Sequence, residues 1–308
     1  MVMKNLLTYF TLLFTLSLIF TSLFAYEEKT VFANRVNDES LAGEIYKHLS
    51  NYVENFKIDF TGDTENLKET LSKVMGDIKK QDRYLYENIY KWQTKYSYID
   101  NKATIEFKIN FLTNKVQEEF VSAHVAKVLP TLIKKTDSDL DKVKAIHDYI
   151  VLHGDYSEET KNSQYSTYTY ITEEKAVCQA YALLMYKMVK AASVEVEYVK
   201  GVAGGENHAW ILVKLDGEWQ HIDVTWDDPV GGKSDEVRYA YFLLSDKQIA
   251  KTHNWDSEAY PVATSEKYSY FHVVQNAYTD GNMMYYKNSR DSNYYTMDLK
   301  TKKSTRYR

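Results

Sequence analysis

Cys178, His208 and Asp223 are the residues of this 308-residue chain whose types and surroundings could do covalent chemistry. Cys178 is the only cysteine, so no internal disulfide can form. A single free cysteine is commonly a small buried side chain, but the surroundings of this one point elsewhere. From Cys178 to Ala192 the sequence is apolar nearly all round, and its two charges, Lys187 and Lys190, are three apart and share one face. That spacing predicts a buried helix with one narrow wet edge and Cys178 at its start. A helix N-terminus offers free N–H groups and a partial positive charge. Both favour a thiolate, which is the nucleophilic form, and the same N–H groups can hold the oxyanion of a tetrahedral intermediate.

The partners come from a hairpin. Asp216-Gly217 is a two-residue turn signal between His208–Leu215 and Glu218–Thr225. With Leu215 opposite Glu218, Trp210 falls opposite Asp223. Alternation then puts His208, Trp210, Asp223 and Thr225 on one face and Ala209, Ile211, Val213, Ile222 and Val224 on the other. His208 and Asp223 become diagonal neighbours within side-chain reach. Asp223 could orient an imidazole that takes the proton of Cys178, the logic of a Cys-His-Asp triad.

Other polar residues compete for roles. His208, His221, Asp223, Asp227 and Asp228 are close together, yet no His-x-x-x-His or paired-Cys spacing marks a metal site, and no metal or cofactor is expected. Asp227 and Asp228, just before Pro229, read as turn residues. His147 lies on the apolar stripe of a helix over 137–153 and reads as a core histidine. Gln164, Tyr165, Tyr168 and Tyr170 precede Cys178 in a polar, Tyr-rich stretch read as a long loop, and are candidates for a second oxyanion donor.

The elements that must position these residues suggest four parts. Residues 1–25 carry one charge, Lys4, and an apolar run from Leu6 to Ala25, the pattern of a secretory signal peptide or, uncleaved, a membrane anchor. Residues 26–135 mix helix (41–56, 67–78) with strand (96–99, 103–111) and read as an α+β support region. Residues 136–262 hold the reactive set. Residues 263–308 read as a small β meander rich in Tyr, with a basic end suited to an anionic envelope polymer. A net charge of −5 offers nothing global to nucleic acid.

Ala176-Val177-Cys178-Gln179-Ala180-Tyr181-Ala182, Asn207-His208-Ala209-Trp210 and His221-Ile222-Asp223-Val224-Thr225-Trp226-Asp227-Asp228-Pro229 resemble, in order, the three core motifs of the transglutaminase-like superfamily. Ile146–Ile150 and Tyr241–Asp246 resemble flanking elements of its bacterial exported members. The resemblance is best over 139–255, and it departs where family members often carry Gly, at Ala176 and Ala180. It implies an α+β, papain-like core, with a nucleophile helix packed on an antiparallel sheet and Cys178, His208 and Asp223 as the triad. The expectation is an exported thiol enzyme that transfers acyl groups from a peptide or protein. Water as acceptor makes it a peptidase or amidase, and an amine makes it a transglutaminase. The non-enzyme alternative is an envelope- or partner-binding scaffold.

Overall fold

The computed structural model describes residues 41–228 and 237–307. The expected signal segment, Pro229 and the Gly231-Gly232 pair lie outside the described residues. Among the described residues no helix is long and apolar enough to cross a membrane. The chain divides into two compact units between residues 111 and 112.

The first unit runs α1 (Leu41–Ser50), β1 (Asn55–Thr61), α2 (Leu67–Gln81), α3 (Arg83–Glu87), β2 (Ile89–Ile99) and β3 (Lys102–Phe111). Its antiparallel sheet has the order β1-β3-β2. Ile105, Phe107 and Ile109 of β3 alternate with polar residues and bury one face against Leu71, Met75 and Ile78 of α2. The helix expected over 41–56 ends at Ser50. Tyr52 turns the chain with φ +56°, after which Phe56 and Ile58 point inward with the period of a strand.

The second unit begins with α4 (Lys115–Leu132), capped by a reciprocal Asn114–Gln117 pair. This corrects the expected boundary at 135. Val121 and Val125 are buried, Phe120 meets Tyr168 edge-on, and His124 hydrogen-bonds the Tyr149 hydroxyl at 2.8 Å. The helix is thereby packed on the reactive unit. In α5 (Asp139–His153) the cap is Ser138, whose hydroxyl accepts the Asp141 N–H. Gly154 follows because Tyr170 lies so close that an added Cβ would meet its ring at 2.4 Å.

β4 (Asp155–Tyr156) and β5 (Lys175–Ala176) pair in parallel around α6 (Thr167–Glu173). The long loop expected over 156–172 thus contains a helix. The signal is Ser166, which caps it by accepting the Thr169 N–H. Then comes α7 (Cys178–Ala191), with nine buried side chains from Ala180 to Val189. It packs across β6 (Val196–Ala203) and β7 (Glu206–Leu215), central strands of a five-stranded antiparallel sheet. The order is β10-β6-β7-β8-β9, completed by β8 (Glu218–Ile222), β9 (Phe242–Leu244) and β10 (His253–Trp255).

The hairpin register is as expected, Leu215 with Glu218 and Ile211 with Ile222. β8, however, stops at Ile222, where a strand to Thr225 was expected. Asp223 instead caps the short helix α8 (Val224–Asp227), its carboxylate taking the Thr225 and Trp226 N–H groups. A local side-chain cap here wins over continued pairing. Both faces of the sheet are buried. Trp210 and Leu212 pack with Val199, Leu244 and Ile249, while Ile211, Val213, Ile222 and Phe242 are fully covered.

Helix α9 (Asp246–Ile249) follows β9. The chain ends in a meander of β11 (Val274–Asp280), β12 (Met283–Asn288), β13 (Tyr294–Asp298) and β14 (Ser304–Arg306). The meander belongs to the second unit. Tyr239 N–H bonds Val274 O, Phe271 meets Phe242 edge-on, and His272 Nε2–H donates to Phe242 O.

Candidate active site

Cys178 is the first residue of α7, partly exposed, with Val177 as its N-cap. Ala176, Val177 and Ala180 around it are buried, so the two positions where the resembling family often has Gly carry the smallest side chain with a Cβ. The Val177 N–H bonds Gln164 O at 3.1 Å, which lays the 164–166 segment along the helix start. The Cys178 N–H stands in the first turn, where N–H groups lack intrahelical partners.

His208 projects from β7 with its side chain largely covered, and its Nε2 lies 2.7 Å from Asp223 Oδ2. The Cys178 thiol lies close enough to the ring to raise its pKa. Nε2 is engaged by Asp223, so Nδ1 is the atom left for sulfur. Burial works against charge on this imidazole. The Asp223 carboxylate and the thiol outweigh it and raise the pKa to about 10. Asp223 is fully buried, and burial alone would raise its carboxyl. The charges and hydrogen bonds of His208 and His253 hold it below the usual carboxylate range instead. The three residues singled out from sequence are therefore brought together in one contiguous chain of contacts.

The other candidates separate. His221 shares that face but is tied to structure. Its Nδ1 accepts the Trp210 indole N–H at 2.9 Å, and its Nε2–H donates to Asp246. Burial lowers its pKa, which keeps it neutral. His147 is fully buried, as a core histidine should be, and lies between Asp148 and Asp227 at 3.1 Å each. Burial opposes its charge, but the two carboxylates raise its pKa. Asp227 and Asp228 are not turn residues: both are buried acceptors. Asp227 also takes the Tyr241 N–H, and Asp228 takes the Tyr181 hydroxyl at 2.6 Å. Of the four oxyanion candidates, Tyr170 is buried with its hydroxyl on Ile150 O, and Tyr168 packs on Phe120. Gln164 and Tyr165 remain beside Cys178. Burial raises the Tyr156 pKa, and Cys178, Glu158, Glu206 and Tyr165 nearby add to the effect.

His253 was missed from the sequence. It lies on β10, thirty residues beyond Asp223, where Lys251–Trp255 carries no local signal. Its register partner is Ala203 on β6, and that pairing brings its Nε2 to 2.9 Å from Asp223 Oδ2. Among the described residues, His208, Asp223 and His253 are also the group whose donor atoms, within 4.8 Å of one another, could accept a cation. The 2.7 and 2.9 Å separations are those of hydrogen bonds.

Residues 126–224 match the model of the transglutaminase-like superfamily. Over those residues the chain is similar to that superfamily, and the fold of the described residues is α+β. It is 27% identical over 122 residues to kyphoscoliosis peptidase of Mus musculus, covering 34% of this chain and 18% of that protein. To kyphoscoliosis peptidase of Homo sapiens it is 25% identical over 143 residues, 41% of this chain and 21% of that one. The chain thus spans about a fifth of the length of these relatives. A solved structure titled as a TGase is 16% identical, with a TM-score of 0.30 over 66% of this chain and 59% of that one. A likeness of that size carries no argument.

Proposed function

We propose that the chain is a cysteine hydrolase that cleaves a peptide or amide bond through a thioester on Cys178. One observation carries the reading: a thiol at a helix start lies beside an imidazole whose Nε2 bonds a buried carboxylate. With the thiol proton already held on His208, the Cys178 sulfur attacks the carbonyl carbon. The oxyanion forms beside the Cys178 N–H. His208 then protonates the departing amine, and the thioester remains. Water attacks it while giving a proton to His208. The acid leaves, and the Cys178 thiolate and the charged His208 ring are restored. Asp223 orients the ring and stabilises its charged form throughout.

Hydrolysis is preferred because water needs no second binding site, and the matched relatives are named peptidases. The substrate is a peptide or protein, which envelope material would supply. Export rests on the apolar run of residues 1–25. The test offers the chain a mixed peptide digest with and without a primary amine and reads products by mass. New termini or glutamine-to-glutamate conversion without amine adducts is the expected result, and Cys178→Ala gives neither. Amine adducts in preference to hydrolysis would make it a transglutaminase. Unchanged products from Cys178→Ala would remove the nucleophile assignment and favour the scaffold alternative.

A further inference from the structure

Asp223 is held by four donors. Oδ1 accepts the Thr225 and Trp226 N–H groups at 3.1 and 3.3 Å. Oδ2 accepts from His208 Nε2 at 2.7 Å and from His253 Nε2 at 2.9 Å. An unpaired carboxylate in a dry site is costly, and a shared oxygen needs a proton on each nitrogen facing it. That fixes the proton of His253 on Nε2. Its Nδ1 is 2.8 Å from the Thr252 hydroxyl, which also lies 3.3 Å from Ile249 O. The ring is fully enclosed, edge-on to Trp210 with centroids 4.9 Å apart and against Trp226 at 4.7 Å. Tyr241 at 5.6 Å and His208 at 5.5 Å complete the box. Tyr241 and Asp227 are the other titratable groups whose charge bears on Asp223, and His221 lies beyond His253.

We infer that His253 is a positioning residue for the reaction proposed above: it fixes Asp223 Oδ2 so that the lone pair left over points at His208. The backbone cap holds only Oδ1, and His208 is the group that must stay free to exchange protons. A second, non-reacting N–H on Oδ2 sets the carboxylate plane without drawing on His208. The arrangement joins β10 to β7 and to the start of α8 through one buried carboxylate. The inference rests on the assignment of Cys178, His208 and Asp223, and its test separates the two.

The test needs no substrate, because Cys178 is the only thiol to alkylate. Iodoacetamide incorporation at pH 6 is followed by mass in the full chain and in His208→Ala, His253→Phe, His253→Gln and Thr252→Val. Folding is checked by near-UV circular dichroism. His208→Ala sets the rate without imidazole assistance. His253→Phe is expected to lose about tenfold of the wild-type rate, an effect of the size usual for a group that orients a reacting one. His253→Gln, whose amide N–H reaches the same place, stays within about twofold. Thr252→Val, an exposed site that leaves the fold alone, loses about threefold by freeing Nδ1. In ¹⁵N-histidine spectra the wild-type chain shows slowly exchanging Nε2–H signals for both rings, and His253→Phe loses the protection of the His208 signal. A His208→Ala rate equal to wild type would refute the underlying triad. A folded His253→Phe or Thr252→Val at the wild-type rate, or a His253→Gln as slow as His253→Phe, would overturn the role of His253 alone.

Discussion

At the residue scale, Cys178, His208 and Asp223 form the proposed proton ladder from sulfur to a buried carboxylate. The His208 imidazole, with its pKa raised to about 10 by Asp223 and the thiol against the pull of burial, stays charged across the neutral range. The sign follows. Its ion pair contributes stability that is fully present below the unfolded value of about 6.5 and is lost as pH rises through about 10. Thermal melts of the wild-type chain should therefore fall between pH 7 and pH 10 more than those of His208→Gln. Melts that fall equally would remove the charged His208 from the stability account. In turnover, Asp223→Asn should leave a residual rate roughly a thousandfold below wild type, since the residue orients and does not react. His208→Ala should fall to the level of Cys178→Ala. These three residues were legible because each announces itself locally: a lone cysteine at a helix start, and a hairpin turn that fixes the register. His253 was not, because its place depends on β10 pairing with β6 fifty residues earlier, a contact that no spacing in the chain encodes. Asp227 and Asp228 misled for the same reason. Before a proline they look like turn formers, and only the distant His147 and Tyr181 reveal them as buried acceptors.

At the element scale, strands and helices with clean periods were readable. α7, the β7–β8 hairpin and β3 lie where their patterns put them. Failures occurred at ends, where one side chain decides. Ser166 starts a helix inside an expected loop, Asp223 ends a strand by capping α8, and Tyr52 stops α1 six residues short of Phe56. The β6–β10 junction offers a direct test. Gly201 sits where an added Cβ would lie 2.3 Å from Asn254 O and 2.7 Å from the Trp210 ring. Gly201→Ala should cost about 1–3 kcal/mol by overpacking and slow Cys178 alkylation by displacing His253. A chemical melt and the alkylation rate, measured together, check both. A stable variant with full reactivity would mean that the junction does not carry the site.

At the scale of the whole molecule, the two units carry separate cores. The first unit's core is built from α1, α2 and its own three strands. The meander is another matter. The residues from 263 read as an accessory part from sequence, because no titratable cluster lies there and aromatic strands suit either stacking on a ligand or filling a core. Phe271, Val274 and Ala277 are buried, and the Val237–Ala277 bridge ties the meander to the unit that holds Cys178. A chain ending before Ser265 should consequently lose its cooperative melt, not merely its retention on anionic material. A truncated chain that melts as the full one does would restore the accessory reading.

The most direct measurement is the rate at which iodoacetamide alkylates Cys178 at pH 6, set beside the same rate in His208→Ala. The thiolate is the reacting species, and an imidazole beside Cys178 that holds its proton should speed the reaction. The account predicts a wild-type rate at least tenfold above the variant, an advantage of more than about 1.4 kcal/mol. Equal rates that climb together with pH, as a simple alkyl thiol's do near about 8.5, would contradict it.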